Sequence, residues 1–386
     1  MKKIQFIIFF SLVLLIYFAA NYYVFDRSMA ALAFRPEWQQ PFKWCFIALA
    51  ASYPVGRVLE RFRYSRVSNI LHWAGAFWLG FLLYGFLMTL LTDVADLFLG
   101  IPGLTPEFFP ENPERMRFFV FISAAAIVLL INIFGHLRAI NPAYRKIKIP
   151  INKTNTEAGQ LRMALISDVH LGTIIGKNRL SRIIRKINNM NPDGVIIAGD
   201  LVDEDITPVI KYNMGHYLSE LKTPVFAVTG NHEYIGGVEK SLNYLQQFNI
   251  RYLRDEWVEW KGITLAGRED KDRERFTGNP RKSVKDLLNE TDRDRPIVLI
   301  DHQPVEMDEK QEAGVDFTIS GHTHNGQNWP LNYIAKASFR VSSGYALLGN
   351  MHVFVSSGVG SWGPPVRFGT RPEIVQMDLE FFGENE

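Results

Sequence analysis

His322 and His324, in the stretch GHTHNGQ at 321–327, stand one residue apart between glycines. A single packed histidine has no need of such a neighbour, whereas two aimed at one point suit a metal ion. The chain holds further candidates. DVH carries Asp168 and His170, GD carries Asp200, GNHE carries Asn231 and His232, and DHQP carries His302. Five of the nine histidines thus fall in this group, with two aspartates and an asparagine. Imidazole, carboxylate and amide oxygen are donors that hard and borderline divalent metals accept. The set is too large for one ion. Two ions sharing one bridging carboxylate would use it, roughly 3.5–4 Å apart, an arrangement suited to in-line displacement at phosphorus. Cys45 is the only cysteine, which excludes a thiolate cage and an internal disulfide.

The elements that must position these groups follow from hydrophobic pattern. The run 161–167 reads as a buried strand, and 178–189 places Leu180, Ile183, Ile184 and Ile187 at helical spacing. DGVIIAGD predicts a second strand, 208–221 a second helix and PVFAVTG a third strand, the alternation of a parallel sheet with crossover helices. PIVLIDHQP and VDFTISGHTH predict two more strands. Every candidate lies just past a strand end, where sites in open α/β sheets gather. Gly199, Gly230 and Gly321 precede candidates and permit tight turns with close backbone approach. Singly, each candidate has a plainer role: Asp168 or Asp200 as a helix cap, Asn231 in a turn, His302 as a packed interior histidine. Their joint occurrence carries the metal reading.

In this order DVH, GD, GNHE, DHQP and GHTH resemble the five-block signature of calcineurin-like metallophosphoesterases, from Arg162 to about Leu379. The tail SSGVGSWGPPVRFGTRPEI is similar to that of a bacterial membrane-associated branch in which GHTHGGQ is the usual form; Asn325 departs from it, outside the ligand set. The resemblance implies an α/β fold, a four-layer α/β/β/α sandwich, holding two divalent metals. Manganese is the first expectation, with iron, zinc, magnesium or nickel as alternatives. It implies that Asp168, His170 and His324 hold one metal and Asn231, His302 and His322 the other, with Asp200 bridging. His232 would protonate the leaving oxygen or stabilise transition-state charge, work worth roughly 10² to 10⁴ in rate. Asp203 would orient it, although an exposed acidic turn with Glu204 and Asp205 competes for that residue. The implied reaction is hydrolysis of a phosphomonoester, phosphodiester or pyrophosphate by metal-bound hydroxide.

The first third of the chain is apolar. Stretches at 4–25, 42–58, 70–91 and 118–134 predict about four membrane spans, the second being the weakest. Lys2, Lys3, Arg57, Arg61, Arg63, Arg66, Arg138, Arg145, Lys146 and Lys148 fall on the side shared by both termini, which the positive-inside rule places in the cytoplasm. The expected organisation is a multi-pass transmembrane region at 1–140, a linker at 141–160 and a catalytic domain at 161–386, in the inner membrane with the catalytic domain cytoplasmic. The net charge of +2 indicates no nucleic acid. Partners expected are the lipid bilayer and a phosphorylated small-molecule or lipid-linked substrate. Two other readings stand beside this one: a phosphodiesterase on soluble substrates with a mere anchor, and a non-catalytic membrane sensor or scaffold. Arg268 and Arg367 are open between a phosphate contact and a surface salt bridge. Oligomeric state is not encoded in any of these patterns.

Overall fold

The apolar runs of the first third form four long helices: α1 (Lys2–Ala31), α2 (Pro36–Phe62), α3 (Arg66–Leu99) and α4 (Pro113–Ala139). This computed structural model describes residues 2–99, 113–155 and 157–383. It divides into one unit of Met1–His136 with Gly363–Val366, and another of Leu137–Trp362 with Arg367–Glu386. Among the described residues two helices, Arg66–Phe98 and Pro113–Ala139, are long and apolar enough to cross a membrane by length and composition. Against the expected four spans, the described residues thus hold two candidate helices. The stretch at 4–25 lies in α1, whose opening side chains are outside the described residues. That at 42–58 lies in α2, which carries Pro41, Pro54 and a buried Glu60 instead of a uniformly apolar surface. Glu60 Oε2 is 2.7 Å from His72 Nδ1, both side chains nearly inaccessible, and this pair ties α2 to α3.

The second unit opens with β1 (Ala143–Ile151) and β2 (Gln160–Ile166), followed by α5 (Lys177–Asn188), β3 (Gly194–Ala198), α6 (Thr207–Lys211), α7 (Met214–Leu218) and β4 (Val225–Val228). Then come α8 (Asn231–Gly236), α9 (Val238–Leu245), β5 (Ile250–Tyr252), β6 (Glu256–Trp260), β7 (Ile263–Gly267), α10 (Arg273–Thr277) and α11 (Val284–Leu287). β8 (Ile297–Ile300), α12 (Met307–Glu312), β9 (Phe317–Ser320), α13 (Leu331–Ser338), β10 (Gly344–Leu348), β11 (Met351–Val355) and β12 (Glu373–Phe381) complete it. The strands form two six-stranded mixed sheets, in the orders β1-β12-β2-β3-β4-β5 and β10-β11-β9-β8-β7-β6. β2 to β5 run parallel, as do β7, β8, β9 and β11.

Apolar side chains of the two sheets meet face to face: Met163, Leu165 and Ile196 share a core with Leu265, Ile300 and Phe354. The outer face of the first sheet buries Leu180, Ile183, Ile184 and Ile187 of α5, while Val284 and Leu287 of α11 and Met307 of α12 cover the second. Each such side chain contributes roughly 1.5–3 kcal/mol by leaving water. The strand ends are thus held by a packed interior while their loops stay free to bear polar groups.

Two expectations are corrected. The stretch 141–160, read as a linker, contains β1, which pairs in parallel with β12 over nine residues. Its two prolines and several polar residues suggested a connector. An edge strand tolerates proline, and Ile149 and Ile151 point inward while Lys146 and Lys148 point out. The helix expected over 208–221 is two short helices, because Asn213 takes a left-handed conformation, φ 48°, between them.

Candidate metal centre

The strand ends bring together all seven expected ligands. Asp168, His170 and His324 offer donor atoms within 4.8 Å of one another, as do Asp200, His302 and His322, and as do His170, Asp200 and His232. Asp200 therefore stands between two groups. In the first, His170 Nε2 and His324 Nε2 are 3.0 Å apart, and His324 Nε2 is 3.5 Å from Asp168 Oδ1. In the second, Asn231 Oδ1 lies 2.9 Å from His322 Nδ1 and 3.2 Å from His302 Nε2, and Asp200 Oδ2 is 3.1 Å from the same His302 nitrogen.

The backbone is forced to aim these side chains. Asp168, His170, Asp200, His322 and His324 all have φ between 48° and 70°. That left-handed region is sparsely used by non-glycine residues and clusters at functional sites, where surrounding structure must hold it. Two glycines are required by close approach. A Cβ at Gly199, itself at φ 84°, would stand 2.4 Å from His302 Nδ1, and one at Gly230 would stand 2.1 Å from Asp200 Oδ1.

Around the ligands lies a set of fixed hydrogen bonds. His302 Nδ1 is 2.8 Å from the Ala198 carbonyl, so that nitrogen carries the proton it donates and Nε2 faces Asn231 and Asp200. The backbone N–H of His322 donates to Asp168 Oδ1 at 2.9 Å, and that of His232 to Asp200 Oδ1 at 2.9 Å. The Asp203 carboxylate is 3.2 Å from His232 Nδ1 and 4.0 Å from His170 Nδ1, so Asp203 meets the histidine it was expected to meet.

Charge states differ across the cluster. Burial pushes the Asp168 carboxyl up to about 6. Burial also raises Asp200, but His302 and His232 outweigh it and hold that carboxylate well below its ordinary range. His170 and His322 are lowered by burial to about 3 and about 4, and His324 is lowered as well, so all three are neutral with lone pairs available near pH 7. Burial opposes protonation of His232, yet Asp200 and Asp203 raise it to about 9. Anionic Asp200 with the neutral imidazoles of His170, His322 and His324 is the protonation state that divalent cations require, and only His302, raised by Asp200 and Asp168 against its burial, must give up a proton first. The donor set fits two such ions.

Three contributors have roles that the sequence reading did not assign. Glu233 accepts from the backbone N–H groups of Gly230 at 2.7 Å, Val202 at 2.9 Å and Asp200 at 3.2 Å, so one carboxylate clamps two ligand loops. Its place three residues after Gly230 at the start of α8 is a capping-box spacing, the signal that could have found it. Arg367, open between a phosphate contact and a surface salt bridge, is neither, being wholly buried. Its Nη2 lies 2.8 Å from His324 Nδ1, and it donates to the carbonyls of His324, Ser357 and Gly360. A guanidinium only donates, so Nδ1 is occupied and Nε2 is the ring nitrogen turned to Asp168. Arg268 is also buried, bridging to Asp301, Glu306 and Glu309 beneath the second sheet's loops. No sequence spacing announces either arginine.

Comparison with known proteins places these residues in a family. The family described as Calcineurin-like phosphoesterase matches residues 161–326, a span that holds all seven expected ligands with Asp203 and His232. The chain is 34% identical over 245 residues to a metallophosphoesterase of Helicobacter pylori, covering 62% of this chain and 64% of that protein. It is 30% identical over 278 residues to a Bos taurus protein named "Transmembrane protein with metallophosphoesterase domain", covering 67% and 62%. It thus spans less than two thirds of those relatives' length. A metallophosphoesterase of Aquifex aeolicus is 31% identical over 261 residues, 66% of this chain and 98% of that protein. With nearly the whole of that relative matched, the chain belongs to the calcineurin-like phosphoesterase family.

Proposed function

We propose that this protein is a membrane-associated phosphoric ester hydrolase working with two divalent cations, manganese first among them. One observation carries the reading: two ligand groups share Asp200, and a protonated histidine stands beside them. Asp168, His170 and His324 would hold one cation, Asn231, His302 and His322 the other. When bound, the cations supply Lewis acidity at phosphorus and an ionised water near neutral pH. The chain's own part is positional and protonic. Asp203 takes the Nδ1 side of His232, leaving Nε2–H to protonate the departing oxygen. Ala198 and Arg367 fix the rings of His302 and His324, and the buried loops hold that geometry before substrate arrives.

The apolar helices and the bovine relative's name support membrane association. Four spans with the hydrolase domain on the cytoplasmic side of the inner membrane, and a lipid-linked substrate, complete the proposal. The test is hydrolysis by full-length protein in detergent with added manganese, comparing a bis(aryl) phosphodiester, an aryl monoester and a nucleotide-linked lipid. Metal-dependent turnover that collapses in His232→Ala and Asp200→Asn supports it. Bound metal with no turnover on any of the three substrates would overturn it in favour of a sensor.

A further inference from the structure

We infer that the apolar face made by Trp329, Leu331, Tyr333, Ile334 and Trp362 seats on the acyl region of a lipid bilayer, beside the metal centre. A consequence that rests on the phosphoesterase reading is that amphiphiles are favoured over soluble esters.

The face is exposed, with Trp329, Leu331, Tyr333 and Ile334 close together along the chain. α13 turns Leu331, Tyr333 and Ile334 outward and buries Ala335; Tyr333 is 60% and Ile334 63% exposed. Apolar residues scattered singly over a surface need no explanation, but a contiguous patch marks an interaction site. Trp362 joins it through Gln327, whose side chain donates to the Trp362 carbonyl at 2.8 Å and accepts from its N–H at 2.9 Å. The backbone of Trp329 is held by its main-chain N–H, which donates to the Phe368 carbonyl at 2.7 Å. The patch is therefore fixed to the loop that carries His324, two residues before Gly326.

It also borders the chemistry. The Trp362 ring lies 5.8 Å from that of His232, and Phe339, just past α13, lies 6.0 Å from that of His322. A substrate whose phosphoryl group reached the cluster would lay its remainder along these rings.

Two observations favour lipid over a second copy or another protein. The composition is that of a membrane interface: tryptophan and tyrosine with aliphatic neighbours, and a lysine, Lys336, whose ammonium stands 5.9 Å from the Tyr333 ring. The tether points the same way. Only Ile140, Asn141 and Pro142 separate α4 from β1, a reach of about 10 Å when extended. The first residue of β1, Ala143, donates to Pro372 at 2.8 Å, while Gly369, three residues earlier, bridges to Asn328 beside Trp329. The tethered end of β1 and the apolar face are thus at one end of this unit. The apolar face thus belongs to the end of this unit at which the chain from α4 enters it.

The experiment uses full-length protein in nanodiscs on a Cys45→Ser background, with a fluorophore at Ile334→Cys or, as control, at Lys240→Cys on the exposed face of α9. Quenching by doxyl-labelled lipid at 334 but not at 240, with protection from iodide, is expected. Equal behaviour at both positions overturns the inference. Protection from iodide without lipid quenching overturns it in favour of a protein–protein contact. Separately, Tyr333→Ser with Ile334→Ser should lower the ratio of turnover on a dialkyl-chain phosphoester in vesicles to that on a bis(aryl) phosphodiester by about tenfold; an unchanged ratio overturns the substrate half. Wild-type protein hydrolysing neither ester sinks the phosphoesterase reading alone, and the quenching result still decides the lipid contact.

Discussion

The two ligand groups meet at Asp200 yet differ in what they hold before any cation arrives. In the Asp168 group, burial leaves His170 and His324 neutral, with their Nε2 atoms converging. In the other, burial should likewise discharge His302, but Asp200, Asp168 and Asp270 outweigh it and push that imidazole well above its ordinary value. His302 thus keeps a proton on the nitrogen that faces Asn231. The supports differ too: a carbonyl anchors His302, whereas a buried guanidinium anchors His324. Two groups of similar residue types at similar strand ends are, physically, one set of neutral imidazoles and one that must first lose a proton. Neighbouring carboxylates make the difference.

The harshest way to break the comparison is to remove what the groups share. Asp200→Asn is expected to drop bound metal from two ions per chain to below one, and activity with it, read by elemental analysis after gel filtration. His232→Ala should leave the metal content intact and cut kcat by about 10² to 10⁴, so kinetics and metal analysis part company. Arg367→Lys keeps the charge but loses the fork across Ser357 and Gly360. It should weaken one of the two cations by about 10- to 100-fold, as loss of an outer-shell partner does, seen as a split chelator titration; uniform weakening of both would refute separate supports. Loading the His302 group expels its proton, so affinity there should climb about tenfold per pH unit through neutrality. Calorimetry in buffers of different ionisation enthalpy counts that proton.

The smallest effect lies in chelator-treated protein. The folded-state value of His232, about 9, is above its unfolded value, roughly 6.5. Its contribution to stability is therefore fully present below pH 6.5 and is lost as pH rises through 9. Thermal unfolding in chelator should show Tm falling across that window, and Asp203→Asn should flatten the fall.

Much of the centre was legible because each ligand ends a strand of unmistakable apolar pattern and the blocks recur in a recognisable order. The linker reading failed for a local reason: β1 is an edge strand, and lysines and Pro150 at a solvent-facing edge look like connector. Of the four expected spans, the two helices whose apolar character is unbroken are candidates by length and composition. The expectation stops at α2, where Glu60 meets His72 inside the helical unit, a pairing between residues twelve apart that no hydropathy profile represents.

What the chain alone determined was the inventory: nitrogen and oxygen donors without thiolate, placed after strands that a parallel sheet must align at one edge. Those properties are local, set by residue type and by period along the backbone. Only the tertiary structure decided which proton each histidine keeps, that Arg367 stands behind His324 and not at a phosphate, and that an apolar helix face lies beside the centre. Such features arise from contacts between residues tens to hundreds of positions apart, where burial and neighbouring charge are properties of the packed chain and not of any stretch within it.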